Sequence, residues 1–350
     1  MKLTILLCSA LLAAATASAQ KVLQIYPIDV EGGQATLFVT PAGESLLVDA
    51  GWPGNNNRDA ERIAAAAQAA HVKKIDYLWI THFHVDHVGG VQNLLAKLPV
   101  GTFVDHGANR EVSDAAASGQ APNPRFAAMQ PDRLYPEYLK LIGSSKHQVL
   151  EPGDRLPIKG VEVMAVSGDG KVLERALPGA GQPNAACSSV AKQADDPSEN
   201  ARSLGLVMIY GKFRVVDLGD LTWNKELDLM CPDNRIGAAS LFIVSHHGMD
   251  ISNSPALVHG IQPRVAIMDN SVKKGGKPAA WEVVKSSPGL EDLWQLQRTG
   301  GGADHNVEVD YIANTRDAAA VPYLKVVANK DGSFEVVNPR NQFAKKYAAR

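Results

Sequence analysis

Four potential metal ligands lie within the segment 82–87, whose sequence is HFHVDH. The segment joins a predicted buried strand to a predicted helix. On a tight loop, His82, His84, Asp86 and His87 can point into one space, whereas a strand would send neighbouring side chains to opposite faces. Zinc, iron and manganese all accept imidazole and carboxylate ligands. The pattern therefore predicts a metal centre, and a histidine-rich surface loop is the weaker alternative.

The elements that must position this segment follow from the hydrophobic pattern of the chain. Short apolar or alternating runs predict strands, and alanine-rich helical spacing predicts helices. In the first half, the predicted strands are 22–28, 34–40, 45–49 and 75–81, and the predicted helices are 58–70 and 88–98. Prolines interrupt the pattern between 101 and 152, where we expect an insertion with one or two short helices. The Gly- and Pro-rich segment 168–200 is expected to be a second insertion, made of loop.

A second set of elements follows this loop. The runs 204–210 and 213–218 predict a hairpin that ends close to Asp220. The remaining predicted strands are 241–245, 264–269, 323–328 and 334–338, and the remaining helices are 225–230 and 281–286. Two similar halves, each with strands followed by helices, predict two packed sheets with helices outside them. Residues 20–350 are therefore interpreted as a single α/β domain.

Three motifs carry a resemblance to a known superfamily. The segment 81–90, THFHVDHVGG, matches the HxHxDH signature of the metallo-β-lactamase superfamily. The segment 46–51, LLVDAG, is similar to its earlier motif, in which an Asp at a strand end is followed by Gly. The segment 218–220, LGD, resembles the later motif whose Asp bridges two metals. The resemblance implies the αββα sandwich of the metallo-β-lactamase fold, with metals at one edge between two mixed sheets.

Within the superfamily, the sequence most resembles the hydrolase domain of the bacterial DNA-uptake channel (ComEC-like) family and the choline-phosphate esterases. This likeness is carried by the segment 199–204, ENARSL, by the hairpin before Asp220, and by the segment 245–248, SHHG. The chain departs from the β-lactamases and glyoxalases, which place a third histidine upstream of the bridging Asp. Here that position falls in the region 200–203, which holds no histidine. The departure disfavours β-lactam hydrolysis and requires an imidazole from elsewhere.

The resemblance implies a ligand set for two divalent ions. His82 and His84 would hold the first ion, together with either His246 or His247. Adjacent side chains point in different directions, so we expect only one of this last pair to bind metal. Zinc is the expected metal, with manganese or iron as alternatives.

The second ion would be held by Asp86 and His87, and Asp220 would bridge the two ions. His305 is expected either to complete the second site or to face the substrate, and a solvated side chain is an equally good interpretation. Asp49 is expected to accept a hydrogen bond from a ligand imidazole, which would fix its orientation. A turn-forming role is the alternative for Asp49.

This site predicts hydrolysis by a metal-bound hydroxide, because metal ions lower the pKa of bound water towards neutrality. Asp86 and Asp220 are candidate catalytic residues that would steer the hydroxide as well as bind metal. The favoured substrate is a small molecule with a phosphoester or phosphodiester bond. The alternatives are a lactonase or amidase of the same fold and a non-catalytic metal-binding relative.

The N-terminal segment 1–19 has a lysine at position 2, an apolar stretch and a small-residue site ending at Ala19. This pattern predicts a cleaved signal peptide and a periplasmic or secreted protein. No later stretch is long and apolar enough to predict a membrane span. A net charge of −2 does not indicate a nucleic-acid groove. Cys187 and Cys231 remain after cleavage, and the sequence leaves open whether they form a disulfide.

Overall fold

The structure, a computed structural model, describes residues 21–112, 128–300, 303–315 and 321–350. The predicted signal peptide lies outside the described residues. No helix within these ranges has the length and apolarity needed to cross a membrane.

The first sheet combines the N-terminal strands with the C-terminal ones. Its strands are β1 (Leu23–Pro27), β2 (Thr36–Val39), β3 (Ser45–Val48), β4 (Ile75–Trp79), β5 (Val100–Asp105), β6 (Lys146–Val149), β19 (Lys325–Ala328), β20 (Phe334–Asn338) and β21 (Phe343–Tyr347). Among the described residues the order is β21-β20-β19-β1-β2-β3-β4-β5-β6. The strands from β3 to β6 run parallel, and the remaining pairs are antiparallel.

The second sheet is built from the middle of the chain. Its strands are β7 (Arg155–Leu156), β8 (Glu162–Ala165), β12 (Leu206–Tyr210), β13 (Phe213–Asp217), β15 (Leu241–Ile243), β16 (Val265–Met268), β17 (Asp292–Gln297) and β18 (Ile312–Asn314). In the described chain the order is β18-β17-β16-β15-β13-β12-β8-β7. The neighbours β13, β15, β16, β17 and β18 are parallel. Two short ribbons lie outside the sheets, β9 (Ser167–Gly168) with β10 (Lys171–Val172) and β11 (Gln182–Pro183) with β14 (Asp233–Asn234).

Helices cover the outer faces of both sheets. The helices are α1 (Arg58–Ala69), α2 (Val85–Val88), α3 (Val91–Leu95), α4 (Pro131–Ile142), α5 (Trp223–Met230), α6 (Pro255–Ile261) and α7 (Pro278–Lys285). The alternation of β3 shows the layering, because Leu46 and Val48 join the core between the sheets while Leu47 packs under the helices. Helices α1, α3 and α4 contribute to the core on the first sheet, and α5, α6 and α7 to the core on the second. The predicted αββα sandwich is confirmed.

The prediction that residues 101–152 form an insertion is wrong in part. Both described ends of this segment are strands of the first sheet, β5 and β6, which extend the parallel run beyond β4. The pattern concealed them for two reasons. Strand β5 contains a glycine at position 101, and β6, sequence KHQV, is a largely exposed edge strand that buries little apolar surface. The elements α6, β17, β18 and β21 were also not predicted.

Cys187 and Cys231 form a disulfide with a Cα–Cα distance of 5.8 Å. The bond joins the 3₁₀ turn Ala185–Ser189 to the C-terminal end of α5. The two cysteines are 44 positions apart in the sequence, and the irregular segment that contains Asn200 lies between them. A cross-link of this span restricts the unfolded chain more than the folded one.

Replacing both cysteines by serine should therefore lower the free energy of unfolding by about 2–4 kcal/mol. Urea titration followed by circular dichroism measures the change. The wild-type protein, unfolded with a thiol reductant present, is the matched control and should have the midpoint of the variant. Equal midpoints for the variant and the oxidised wild type would show that the bond contributes no stability.

Candidate metal centre

The candidate ligands gather at the carboxyl ends of parallel strands. Asp49 directly follows β3, and His82 lies three residues after β4 in the same sheet. In the other sheet Asp220 follows β13, and His246 follows β15. Parallel strands end at the same edge of a sheet, so these loops come together where the two edges face each other. Glycine at position 219 allows the loop after β13 to approach the loop after β4. It has a φ of 57°, and an added Cβ would lie 2.8 Å from the Thr81 Cβ.

One group of ligand atoms has the spacing of a tetrahedral site. His87 Nε2 lies 3.4 Å from Asp86 Oδ2 and 3.3 Å from Asp220 Oδ1. His247 Nε2 lies 3.2 and 3.5 Å from the same two oxygens. Bonds of about 2.0–2.1 Å in a zinc tetrahedron set ligand atoms about 3.3–3.4 Å apart. These four buried residues can therefore hold one metal ion.

A second group faces the other oxygen of Asp220. His246 Nε2 lies 3.2 Å from Asp220 Oδ2, and His82 Nε2 lies 3.9 Å from it. His84 turns its Nδ1 towards His82 Nε2, at 3.0 Å. Three imidazole nitrogens thus gather on one side of Asp220, while His87 and His247 lie on the other. The carboxylate stands between the two groups, which is the bridging position expected from the sequence.

Both adjacent histidines reach Asp220, although only one of them was expected to bind metal. His246 and His247 each adopt the left-handed helical conformation, with φ of 53° and 54°. The expectation assumed a regular backbone, in which successive side chains diverge. Two consecutive left-handed residues instead bring both Nε2 atoms to the same carboxylate. Such conformations are uncommon outside glycine and concentrate at functional sites.

Buried polar atoms without partners show that the site suits a cation. Among the described residues, His87 Nε2, His247 Nε2 and Asp220 Oδ1 are buried and form no hydrogen bond. Leaving such atoms unsatisfied is costly in a folded protein, and natural exceptions need a physical cause. All three atoms point into the tetrahedral group, where a divalent ion would satisfy them together.

The electrostatics of the site couple its carboxylates to its imidazoles. Burial favours the neutral form of Asp220, yet His246, His87 and His247 hold its pKa well below the usual range. Burial likewise disfavours charge on His87, but Asp220 and Asp86 raise the pKa of this imidazole well above its ordinary value. Burial and the nearby Lys274 disfavour charge on His247, but Asp220 and Asp269 raise the pKa of this ring to about 10.

The imidazoles on the other side of Asp220 behave differently. Burial lowers the pKa of His82 well below its ordinary value. Burial also lowers the pKa of His246 to about 4, although Asp220 opposes this change. These two rings are therefore neutral at pH 7 and present free nitrogen lone pairs.

Hydrogen bonds fix the orientation of the rings. His87 Nδ1 lies 2.7 Å from Asp49 Oδ2, so it donates there and leaves Nε2 free to bind metal. Asp49 is itself held by the backbone amide and hydroxyl of Thr81, at 2.8 and 2.7 Å. His84 Nε2 lies 3.0 Å from Glu111 Oε2, which turns His84 Nδ1 towards the centre. Asp49 thus has the predicted supporting role, whereas Glu111 was not predicted and lies in no recognisable motif.

Lys274 also enters the site unpredicted. Its ammonium group donates to Asp86 Oδ2, the same oxygen that faces His87 and His247. It lies 5.5 Å from the centre of the Trp52 ring, a cation–π distance. The structure therefore places the side chain against a candidate metal ligand.

His305 does not join the centre. Its Nε2 lies 3.3 Å from Glu282 Oε1, and its ring packs edge-on against Trp281 at 5.3 Å. The hypothesis that it completes the second site is therefore wrong for this structure. His305 belongs to a short 3₁₀ turn, Ala303–His305, that follows β17 and faces α7. His247 lies beside Asp86 and His87, in the place that His305 was one candidate to fill.

Comparisons with known proteins agree with this architecture. Residues 28–177 match the family model described as Metallo-beta-lactamase superfamily. A curated relative, the UPF0173 metal-dependent hydrolase of Aeropyrum pernix, is 26% identical over 235 residues, which cover 67% of this chain and 78% of the relative.

Two solved structures have a partial similarity to this chain. The metallo-β-lactamase fold protein YhfI from Bacillus subtilis is 11% identical with a TM-score of 0.44, and the match covers 79% of this chain and 96% of that one. A diphosphatase from the PhnP family is 10% identical with a TM-score of 0.38, and the match covers 71% of this chain and 87% of that one. The match to the family model covers residues 28–177, less than half of this chain, and the two packed sheets with helices outside them are the architecture that the metallo-β-lactamase resemblance implies.

Metal binding should release protons, because ligand atoms must be deprotonated. In the metal-free protein the pKa of His247, about 10, keeps this ring protonated at pH 8, and the neighbouring carboxylates raise the pKa of His87 in the same direction. Zinc binding at pH 8 should therefore release at least one proton per chain, and the apparent affinity should rise with pH. Titration calorimetry in buffers of different ionisation enthalpy measures the release. A value near zero would contradict the charge assignment.

Replacing Asp49 by alanine should weaken metal binding about 10–100-fold, since outer partners of ligand histidines have effects of this size. The change removes the acceptor that orients His87 and touches no proposed ligand atom directly. Competition with a chromogenic chelator measures the affinity. His305→Ala is the matched control and should bind metal like the wild type. An equal loss of metal affinity in both variants would show that the effect of Asp49→Ala is a general perturbation of the fold and not the loss of the hydrogen bond to His87.

Proposed function

We propose that this protein is an exported hydrolase that uses two divalent ions to cleave a phosphoester or phosphodiester. Zinc is the proposed metal, with manganese or iron as alternatives. The observation that carries the proposal is the position of Asp220, whose two oxygens face two separate groups of imidazoles. A non-catalytic protein of this fold would not need a complete ligand set on both sides.

The proposed ligands form two sets, one for each ion. His82, His84 and His246 would hold one, and Asp86, His87 and His247 the other, with Asp220 shared. When bound, a pair of divalent ions supplies Lewis acidity and lowers the pKa of a coordinated water. The chain orients the ligands through Asp49 and Glu111, and the buried setting strengthens the electrostatic interactions that stabilise developing charge.

The substrate class is argued from the surroundings of the centre. Lys274 places a cationic side chain directly beside Asp86, which favours an anionic substrate over a neutral lactone or amide. The resemblance of the segments 199–204 and 245–248 to the DNA-uptake hydrolase domain and the choline-phosphate esterases points the same way. Ser203, within the first of these segments, accepts a hydrogen bond from the Asp220 amide at 3.2 Å. The name of the Aeropyrum pernix relative, a metal-dependent hydrolase, supports hydrolysis but specifies no substrate.

Export is proposed from two observations. The segment 1–19 has the pattern of a cleaved signal peptide. Cys187 and Cys231 form a disulfide, which persists in the periplasm or outside the cell and is rare in the reducing cytosol. Both observations support a periplasmic or secreted location.

The test is a substrate panel with purified, metal-loaded protein. We expect hydrolysis of bis(4-nitrophenyl) phosphate or 4-nitrophenyl phosphate, and little turnover of lactones or β-lactams. His84→Ala and Asp220→Asn should each lower kcat/KM more than about 100-fold, since even outer partners of metal ligands are worth roughly 10–100-fold. His305→Ala should retain wild-type activity. Turnover of lactones with no cleavage of any phosphoester would overturn the proposed substrate class.

A further inference from the structure

A cavity of about 590 Å³ opens beside the Asp86 side of the metal centre. Trp52 and Lys274 form the wall shared by the cavity and the centre. The lysine lines the cavity and donates to Asp86 Oδ2. The Gly33 backbone closes the gap between Trp52 and Asp86, since an added Cβ would lie 2.4 Å from the Asp86 carbonyl and 3.0 Å from the Trp52 indole nitrogen. A ligand in the cavity would therefore lie next to the metal centre.

The cavity wall carries more positive than negative side chains, although two of the cations have carboxylate partners behind the wall, Arg62 with Asp29 at 3.2 Å and Lys274 with Asp86. Four cationic side chains line the cavity, and Glu31 is its one carboxylate among the described lining residues; the cations are Arg62, Lys273, Lys274 and Arg298. Glu31 is already paired, because its carboxylate lies 2.8 Å from Arg58 and 3.4 Å from Arg62. The acidic side chain therefore does not neutralise the remaining cations.

Lys273 and Arg298 are the cations free to bind a ligand. Both are exposed, and neither forms an ion pair within the described part of the chain. They belong to different loops, after β16 and after β17, so the parallel strands bring them to the same cavity. Like charges brought together without a counter-charge repel each other, and a bound anion would relieve the repulsion.

We propose that this cavity binds an anionic group of the substrate, a phosphate or a carboxylate, that is distinct from the group cleaved at the metal centre. The role as a substrate subsite rests on the proposed function, whereas anion binding by the cavity does not. Lys273 and Arg298 would hold the anion by charge and hydrogen bonding, and Arg298 can offer a bidentate contact. Lys274 links the anion site to Asp86. The substrate would therefore carry a second negative charge beside its scissile phosphoester.

Binding is tested first without catalysis. Phenyl phosphate is titrated by calorimetry into protein freed of metal with a chelator, at low ionic strength, where exposed charges are least screened. The double variant Lys273→Gln/Arg298→Gln should bind on the order of tenfold more weakly than the wild type. The control, Lys146→Gln/Arg175→Gln, removes the same net charge from exposed side chains outside the cavity and should bind like the wild type. Equal weakening by both double variants, or by neither, would overturn the anion site.

A kinetic arm separates the two proposals. With metal-loaded protein, the cavity variant should raise KM for a phosphodiester that carries a second phosphate, with kcat and the KM for bis(4-nitrophenyl) phosphate unchanged. Hydrolysis of phosphoesters without this selective KM effect would leave the proposed function standing and overturn the subsite. Anion binding that the cavity variant loses, in a protein that cleaves no phosphoester, would support the anion site and overturn the proposed function.

Discussion

The structure depends on one buried carboxylate placed between imidazoles from both sheets. Asp220 is almost fully buried, and its two oxygens face His246 on one side and His87 and His247 on the other. A buried charge is very costly unless it is paired. In the metal-free protein the nearby imidazoles provide the pairing, and divalent ions would provide it more directly. The loops at this edge of the sandwich therefore place their imidazoles around the Asp220 carboxylate.

The same requirement explains the unusual backbone of the site. Asp49, His246 and His247 all have positive φ values, which side chains other than glycine rarely adopt. Each follows a buried parallel strand whose packing fixes where the chain emerges. The rigid strands set the position, and the strained residues, Asp49 directly after β3 and the two histidines three and four residues after β15, turn their side chains towards the shared space. Conformational strain of this kind persists only where the surrounding structure over-determines it.

The sequence predicts those parts of the site that are contiguous in the chain. The HFHVDH segment, Asp220 after its hairpin and Asp49 after its strand could each be located from local pattern, because each follows a buried strand. Glu111 and Lys274 could not, because they lie in loops without a motif and reach the centre only through tertiary packing. For His305 the error is the opposite one, because the sequence indicated a candidate ligand that lies outside the site. A histidine among glycines resembles a ligand on a mobile loop, yet it packs against Trp281.

The two sides of Asp220 differ in what a cation must displace when it binds. Burial lowers the pKa of His82 and His246, so these rings are already neutral and an ion need not displace their protons. On the other side, His87 carries a proton, and Lys274 already donates to Asp86 Oδ2. An ion entering there must displace a proton and an ammonium group. This difference favours filling the His82 side first, although Glu111 raises the pKa of His84, so the occupancy of that side depends on pH as well. The anion cavity adjoins the Asp86 side, because Lys274 belongs to both.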